Sequence, residues 1–189
     1  RLGRTKGFLG KLNDLLPEDI RVHSVELAPP GFDARFSASY RRYRYRIADG
    51  EANKNPLKQR YTHWIKHPLD VTAMQLAAFE LIGLHDYASF CRAKVGATTI
   101  RHVREITVKR NPADDNVIEV ELQADAFCHN MVRSIVGALI GVGQGKADAA
   151  KIKELLEKTN REGSFKVVAP HGLQLMAIGY PADELLAHQ

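Results

Sequence analysis

Apolar and polar positions alternate along "TTIRHVREITVKR" and "NVIEVELQADAF", which flank "NPADD"; this is the pattern of a β-hairpin whose connection is longer than the tightest turns. The extended segment "DARFSASYRRYRYRI" alternates too, so that Tyr43, Tyr45 and Ile47 share one face of a strand and Arg42, Arg44 and Arg46 the other. Elsewhere the period lengthens to that of a helix. "GFLGKLNDLLPEDI" gathers Phe8, Leu9, Leu12, Leu15 and Leu16 on one face and stops at Pro17. Asp70 is placed to cap a helix from Val71 to about Leu84 that carries Met74, Ala77, Ala78, Leu81 and Ile82. In "NMVRSIVGALIGVGQGK", Val132, Ile135, Val136, Leu139 and Ile140 recur at helical spacing. A charged helix is expected from Asp148 to about Thr159. "IRVHSVEL" reads as a strand that changes phase near Ser24, "ADGEANKNP" as a polar loop, and "GLQLMAIGYP" as a last strand. This order of elements predicts an α+β class, with an antiparallel sheet and helices on one face.

Composition narrows the picture modestly. The 189 residues, 44% of them hydrophobic, suffice for a real core in one domain or two small ones. No run of about eighteen apolar residues predicts a membrane span, and "RLGRTKGFLG" lacks the apolar stretch of a signal peptide. Cys91 and Cys128 read as two free thiols in a core, which suits a reducing cytoplasm. A net charge of +5 permits a polyanionic partner without demanding one, so the clustering of arginine says more than the total.

"SYRRYRYRI" supplies that clustering. Three arginines on one strand face repel each other unless an anion lies across them. They form either a charged edge that discourages sheet-to-sheet pairing or a row along nucleic-acid phosphates with a tyrosine offered to a base. Arg133 is the second oddity: it lies near the N-terminus of an aliphatic helix, where the dipole disfavours a cation. It is either a surface arginine with its stem along the core edge or the partner of a carboxylate or phosphate. The histidines and cysteines show no zinc-ligand spacing, and no phosphate loop, nucleophile elbow or HExxH motif is present, so no metal or cofactor is expected.

Five segments, in order, resemble the TruA family of tRNA pseudouridine synthases: "LNDLLPEDI", "FDARFSASYRRYRYRI", "HDYASF", "AFCHNMVRSIVG" and "HGLQLMAIGYP". The resemblance implies two ferredoxin-like halves around a shared cleft. It also implies a homodimer that grips tRNA and isomerises uridine to pseudouridine at positions 38 to 40 of the anticodon stem-loop, without cofactor or metal. Tyr43 matches the tyrosine that packs on the target uracil, Arg133 the arginine that pairs with the catalytic aspartate, and Leu173 an apolar residue of the pocket. Arg4 would help hold the displaced nucleotide, and Arg42, Arg44 and Arg46 would meet the tRNA backbone. The chain departs from the pattern at one place. The family's nucleophile is the aspartate of "GRTD", followed by "GVH", whereas here Gly3, Arg4 and Thr5 run into Lys6. The string is therefore expected to be an incomplete family member. Residues 1–30 would be a remnant of the N-terminal subdomain, and 31–189 mainly the C-terminal RNA-binding and catalytic part. The alternative is a non-catalytic tRNA-binding protein that lacks the nucleophile.

Overall fold

The computed structural model describes residues 3–92, 94–158, 160–161, 163 and 165–186, with side chains described from Gly7 onward. The chain divides into two compact units, residues 1–37 with 181–189, and residues 38–180.

The first unit contains helix α1 (Gly3–Leu15) and, late in the chain, the short helix α5 (Asp183–Leu186). α1 begins four residues before the expected "GFLGK" start, so Arg4 is helical; its side chain lies outside the described residues. The strand expected in "IRVHSVEL" does not form. A strand needs a partner's backbone groups, and here those of Val22 are taken by one side chain: Asn13 donates to the Val22 carbonyl and accepts from its amide, both at 2.9 Å. Ile20 and Leu27 remain exposed. Residues 33–37 are a turn rather than extended chain, because the Asp33 carboxylate accepts the amides of Arg35 and Phe36 at 2.7 Å.

The second unit is built on β1 (Tyr40–Ala48), β2 (His63–Trp64), β3 (Gly83–Asp86), β4 (Ile100–Asn111), β5 (Val117–Ala124) and β6 (Leu173–Gly179). Their order is β2-β1-β5-β4-β3, with β6 also paired to β1. The pairings are antiparallel except for the short β1–β2 contact, which makes the sheet mixed. The hairpin predicted from the alternation is β4–β5, and its connection turns through Asp115 and Asn116 at φ 53° and 56°, a region that Asp and Asn tolerate. β1 is hydrogen-bonded along both edges, to β5 on one side and to β6 and β2 on the other. It is no edge strand.

Helices α2 (Val71–Phe79), α3 (Met131–Gly143) and α4 (Ala149–Glu157) contribute to the core over the Tyr45 and Ile47 face of the sheet. Asp70 caps α2 as expected, accepting the Ala73 amide at 2.9 Å. The helix ends at Phe79, short of Leu84, because Gly83 at φ 126° turns the chain into β3. Asp148 caps α4 through the Lys151 amide; the expected end at Thr159 lies outside the described residues. No helix among the described residues is long and apolar enough to cross a membrane.

On the opposite face two members of the arginine row, Arg44 and Arg46, find anions within the sheet. Arg44 donates to Glu121 at 2.8 and 2.6 Å, with Glu119 3.6 Å away. Arg46, 5% exposed, pairs with Asp114 and lies 3.6 Å from Glu119 and over the Tyr61 ring. The Arg46 hydrogen bond, followed by that of Lys58, holds the Asp114 carboxyl at about 2, below its ordinary 3.8. A depressed acid stabilises the fold above its unfolded value, and that contribution is lost as pH falls toward the folded one. Stability should therefore decline between pH 3.8 and about 2, and Asp114→Asn should flatten this part of an acid titration followed by urea unfolding. An unchanged slope in the variant would show that the pair does not couple to folding.

Candidate active site

β1 delivers Tyr43 to a cavity at the end of the sheet where α3 begins. In register, Tyr43 lies between Leu122 of β5 and Leu175 of β6, and the β1–β6 pairing shifts by a bulge between Arg42 and Tyr43. Bulges re-aim side chains beside functional sites. One residue pair along, Tyr45 is fully buried in the core. The cavity, about 360 Å³, is lined by Tyr43, Phe127, residues 128–132, Arg133, Pro170 and Leu173. That volume falls within the range of roughly 300–1,000 Å³ typical of small-molecule sites. The Phe127 ring meets Tyr43 edge-on, with centroids 5.2 Å apart, which limits how far the tyrosine can swing.

Arg133 occupies the third position of α3. Its Nε donates to the carbonyl of Val168 at 2.6 Å, and its own carbonyl accepts the Val168 amide at 3.4 Å. The cation near a positive helix end is thus fixed by a carbonyl from residues 165–170, the segment that leads into Leu173. The same segment is held by Tyr45, whose hydroxyl donates to the Ala169 carbonyl at 2.7 Å. Burial pushes the Tyr45 phenol up, so it remains a donor at neutral pH. The segment lies over glycines of α3: a Cβ at Gly137 would strike the Lys166 carbonyl, and one at Gly141 the Phe165 ring. Gly172 likewise leaves room for the Tyr45 ring, 2.7 Å from where a Cβ would stand.

Three of the residues singled out in the sequence, Tyr43, Arg133 and Leu173, therefore line one cavity although they come from distant segments. Arg44 and Arg46 do not join them; their guanidinium groups pair with Glu121, Glu119 and Asp114 within the sheet. Arg42 differs, because its partner is the neutral amide of Gln123, at 3.1 and 2.7 Å, and its charge is not cancelled there. No carboxylate lines the cavity among the described residues. Sequence reasoning passed over Phe127, Asn130 and Pro170 as wall residues, although the first two lie in the quoted "AFCHNMVRSIVG". Asn130, at φ 67°, starts α3 from a left-handed conformation that asparagine tolerates. Among the described residues no group of three His, Cys, Asp or Glu side chains could hold a metal ion.

The two cysteines correct a further expectation. Cys91 and Cys128 are joined as a disulfide rather than left as free thiols, their Cα atoms 5.6 Å apart and within the usual range for such a bond. Beside it the Arg92 amide donates to the His129 carbonyl at 2.9 Å, so the cavity wall is tied to the turn at 88–92 by two links.

Residues 77–181 match the sequence profile described as tRNA pseudouridine synthase, and the chain belongs to this family. The particular relatives are consistent. The chain is 49% identical over 180 residues to the tRNA pseudouridine synthase A of Streptomyces avermitilis, covering 95% of this chain and 62% of that protein. It is 44% identical over 186 residues to the protein of that name from Leifsonia xyli, covering 98% and 62%. For the Mycobacterium leprae protein of that name the identity is 41% over 182 residues, covering 96% and 63%. The chain thus spans less than two thirds of the length of these relatives.

Two outcomes follow from the wall's construction. Tyr45→Phe should lower stability by about 1–3 kcal/mol in urea unfolding, because the Ala169 carbonyl loses a buried donor; a change under about 0.3 kcal/mol would show that the hydroxyl does not hold the segment. Denatured, unreduced protein should take up no iodoacetamide, and reduction, which opens a bridge between residues separated by 37 positions, should cost roughly 3–4 kcal/mol of stability. Two alkylated thiols before reduction would contradict the pairing.

Proposed function

We propose that this chain is the uracil-binding and tRNA-binding part of a tRNA pseudouridine synthase, an isomerase acting on a uridine of the anticodon stem-loop. The observation that carries this reading is the convergence of Tyr43, Arg133 and Leu173 on one cavity in a chain of that family. A base in a folded stem-loop must leave its stack to reach such a pocket, at a cost of a few kcal/mol that contacts to the backbone offset. Tyr43, edge-braced by Phe127, would meet one side of the flipped uracil and Leu173 another. The glycosidic bond from C1′ to N1 breaks, the base turns over, and C1′ bonds to C5; the C5 proton is lost and N1 gains one, so the product is an isomer.

The carboxylate that would attack the nucleotide is the aspartate that the family's "GRTD" places after a threonine, where this chain has Lys6 after Thr5. Arg133, with Nε fixed on Val168, has two further guanidinium nitrogens with which to orient such a carboxylate and keep it ionised. Arg4 would steady the displaced nucleotide, and Arg42, whose charge is not neutralised by Gln123, would contact the backbone. The reaction would run on tRNA held by a homodimer.

Release of tritium from tRNA carrying 5-tritiated uridine tests the reading in the protein as encoded. Tyr43→Ala should abolish release while tRNA affinity changes by no more than a few-fold. Near-normal turnover in that variant would overturn the assignment of the pocket. Tight tRNA binding with no release from the unaltered protein would instead identify a binding protein without catalysis.

A further inference from the structure

With Arg44 and Arg46 paired inside the sheet, most of the phosphate contacts a tRNA partner requires must come from elsewhere. Exposed cations gather at the end of the sheet that opens beside the cavity. Arg92 is linked through its amide to His129, a cavity-wall residue, and its side chain is exposed. Lys94 follows two residues on, also exposed. Arg104 sits in the β4 bulge between Val103 and Glu105; its Nη2 donates to the Ser39 carbonyl at 2.9 Å, just before β1. Arg41, partly buried, donates to the Asp125 carbonyl at 3.2 Å, two residues before Phe127. The described carboxylates nearby hydrogen-bond to neutral donors and form no ion pair with Arg92, Lys94 or Arg104. Asp125 accepts the amides of His102 and Ala126, and Asp86 accepts from Ala88 and the Thr99 hydroxyl. Glu105 is exposed beside Arg104. Among the described residues no carboxylate forms an ion pair with Arg92, Lys94 or Arg104.

We infer that Arg92, Lys94 and Arg104 form a phosphate-binding rim to the cavity and grip the RNA backbone on either side of the nucleotide that enters it. The inference rests on the tRNA reading above and adds the residues that carry its electrostatics. Exposed, uncompensated cations release counterions on binding, whereas an arginine already paired with glutamate contributes little. Arg104 is suited to the task because one of its nitrogens is anchored on Ser39, which orders the side chain before RNA arrives.

Filter binding of a tRNA transcript at several salt concentrations separates the possibilities. Neutralising one cation that sits on a phosphate lowers the slope of log affinity against log salt by about 0.7 to 0.9. The triple variant Arg92→Gln, Lys94→Gln, Arg104→Gln should bind at least about ten-fold more weakly at low salt and show a slope smaller by about two units. The double variant Arg92→Lys, Arg104→Lys should keep most of the slope, because charge rather than a fixed fork is required. The charge-balanced pair Arg44→Gln with Glu121→Gln should leave the slope where it was. A triple variant of unchanged melting temperature with wild-type affinity and slope would overturn the rim alone. Failure of the unaltered protein to bind tRNA at all would overturn the reading beneath it, and the rim with it.

Discussion

The fold depends on the two-sidedness of β1. It is bonded along both edges, and its sequence alternates aromatic or aliphatic residues with arginine, so its two faces take different partners. The apolar face is covered by helices; Tyr45 and Ile47 are fully buried there. The charged face is covered by its neighbours' carboxylates, with Glu119 and Glu121 directly opposite Arg46 and Arg44 in register. Partners fixed by strand register lose little entropy on pairing, so these pairs contribute more than solvated ones would. At the far end of β1 a similar demand is met by Asp49, wholly buried, which accepts two hydrogen bonds from Arg110 at 2.9 Å and the Leu69 amide at 2.8 Å. Burial raises the Asp49 carboxyl, but these bonds more than offset it and leave it below its ordinary value.

The cavity is where this arrangement stops. Tyr43 belongs to the apolar row but lies one pair beyond the fully buried Tyr45, so it is half-covered and faces open space. Its neighbours are held by their own constraints: Phe127 by the strand that precedes it, Arg133 by Val168, and Leu173 by a segment that Tyr45 and Arg133 both bind. A single strand thus supplies the wall of the site with Tyr43 and the anchor of the opposite wall with Tyr45. The pocket is preformed by packing, as the proposed repositioning of a detached base would require of its surroundings.

Much of this was legible in the sequence because its signals are local. The hairpin showed in its alternation, α3 in its period, and the caps of α2 and α4 in Asp70 and Asp148. The resemblance to one family picked out Tyr43, Arg133 and Leu173 before any geometry was available. What was not legible depends on long-range partners. "SYRRYRYRI" has the same alternation whether its arginines face RNA or face Glu119 and Glu121, and only the register of β1 on β5 distinguishes the two. "IRVHSVEL" has a strand's composition, but Asn13 competes for the backbone of Val22. Cys91 and Cys128 are separated by 37 positions, and nothing in their spacing says that the start of α3 and the turn after β3 meet.

The proposed function requires the target nucleotide to meet the Tyr43 face of β1 and not the Arg44 and Arg46 side. Photo-crosslinking of an anticodon stem-loop that carries 4-thiouridine at the target position, followed by peptide mapping, tests this most directly. Adducts are expected in residues 43, 127–133 and 170–173, and should disappear when an excess of unlabelled tRNA competes. Adducts concentrated instead on Glu119, Glu121, Arg44 or Arg46 would place the nucleotide on the other side of the sheet and contradict it.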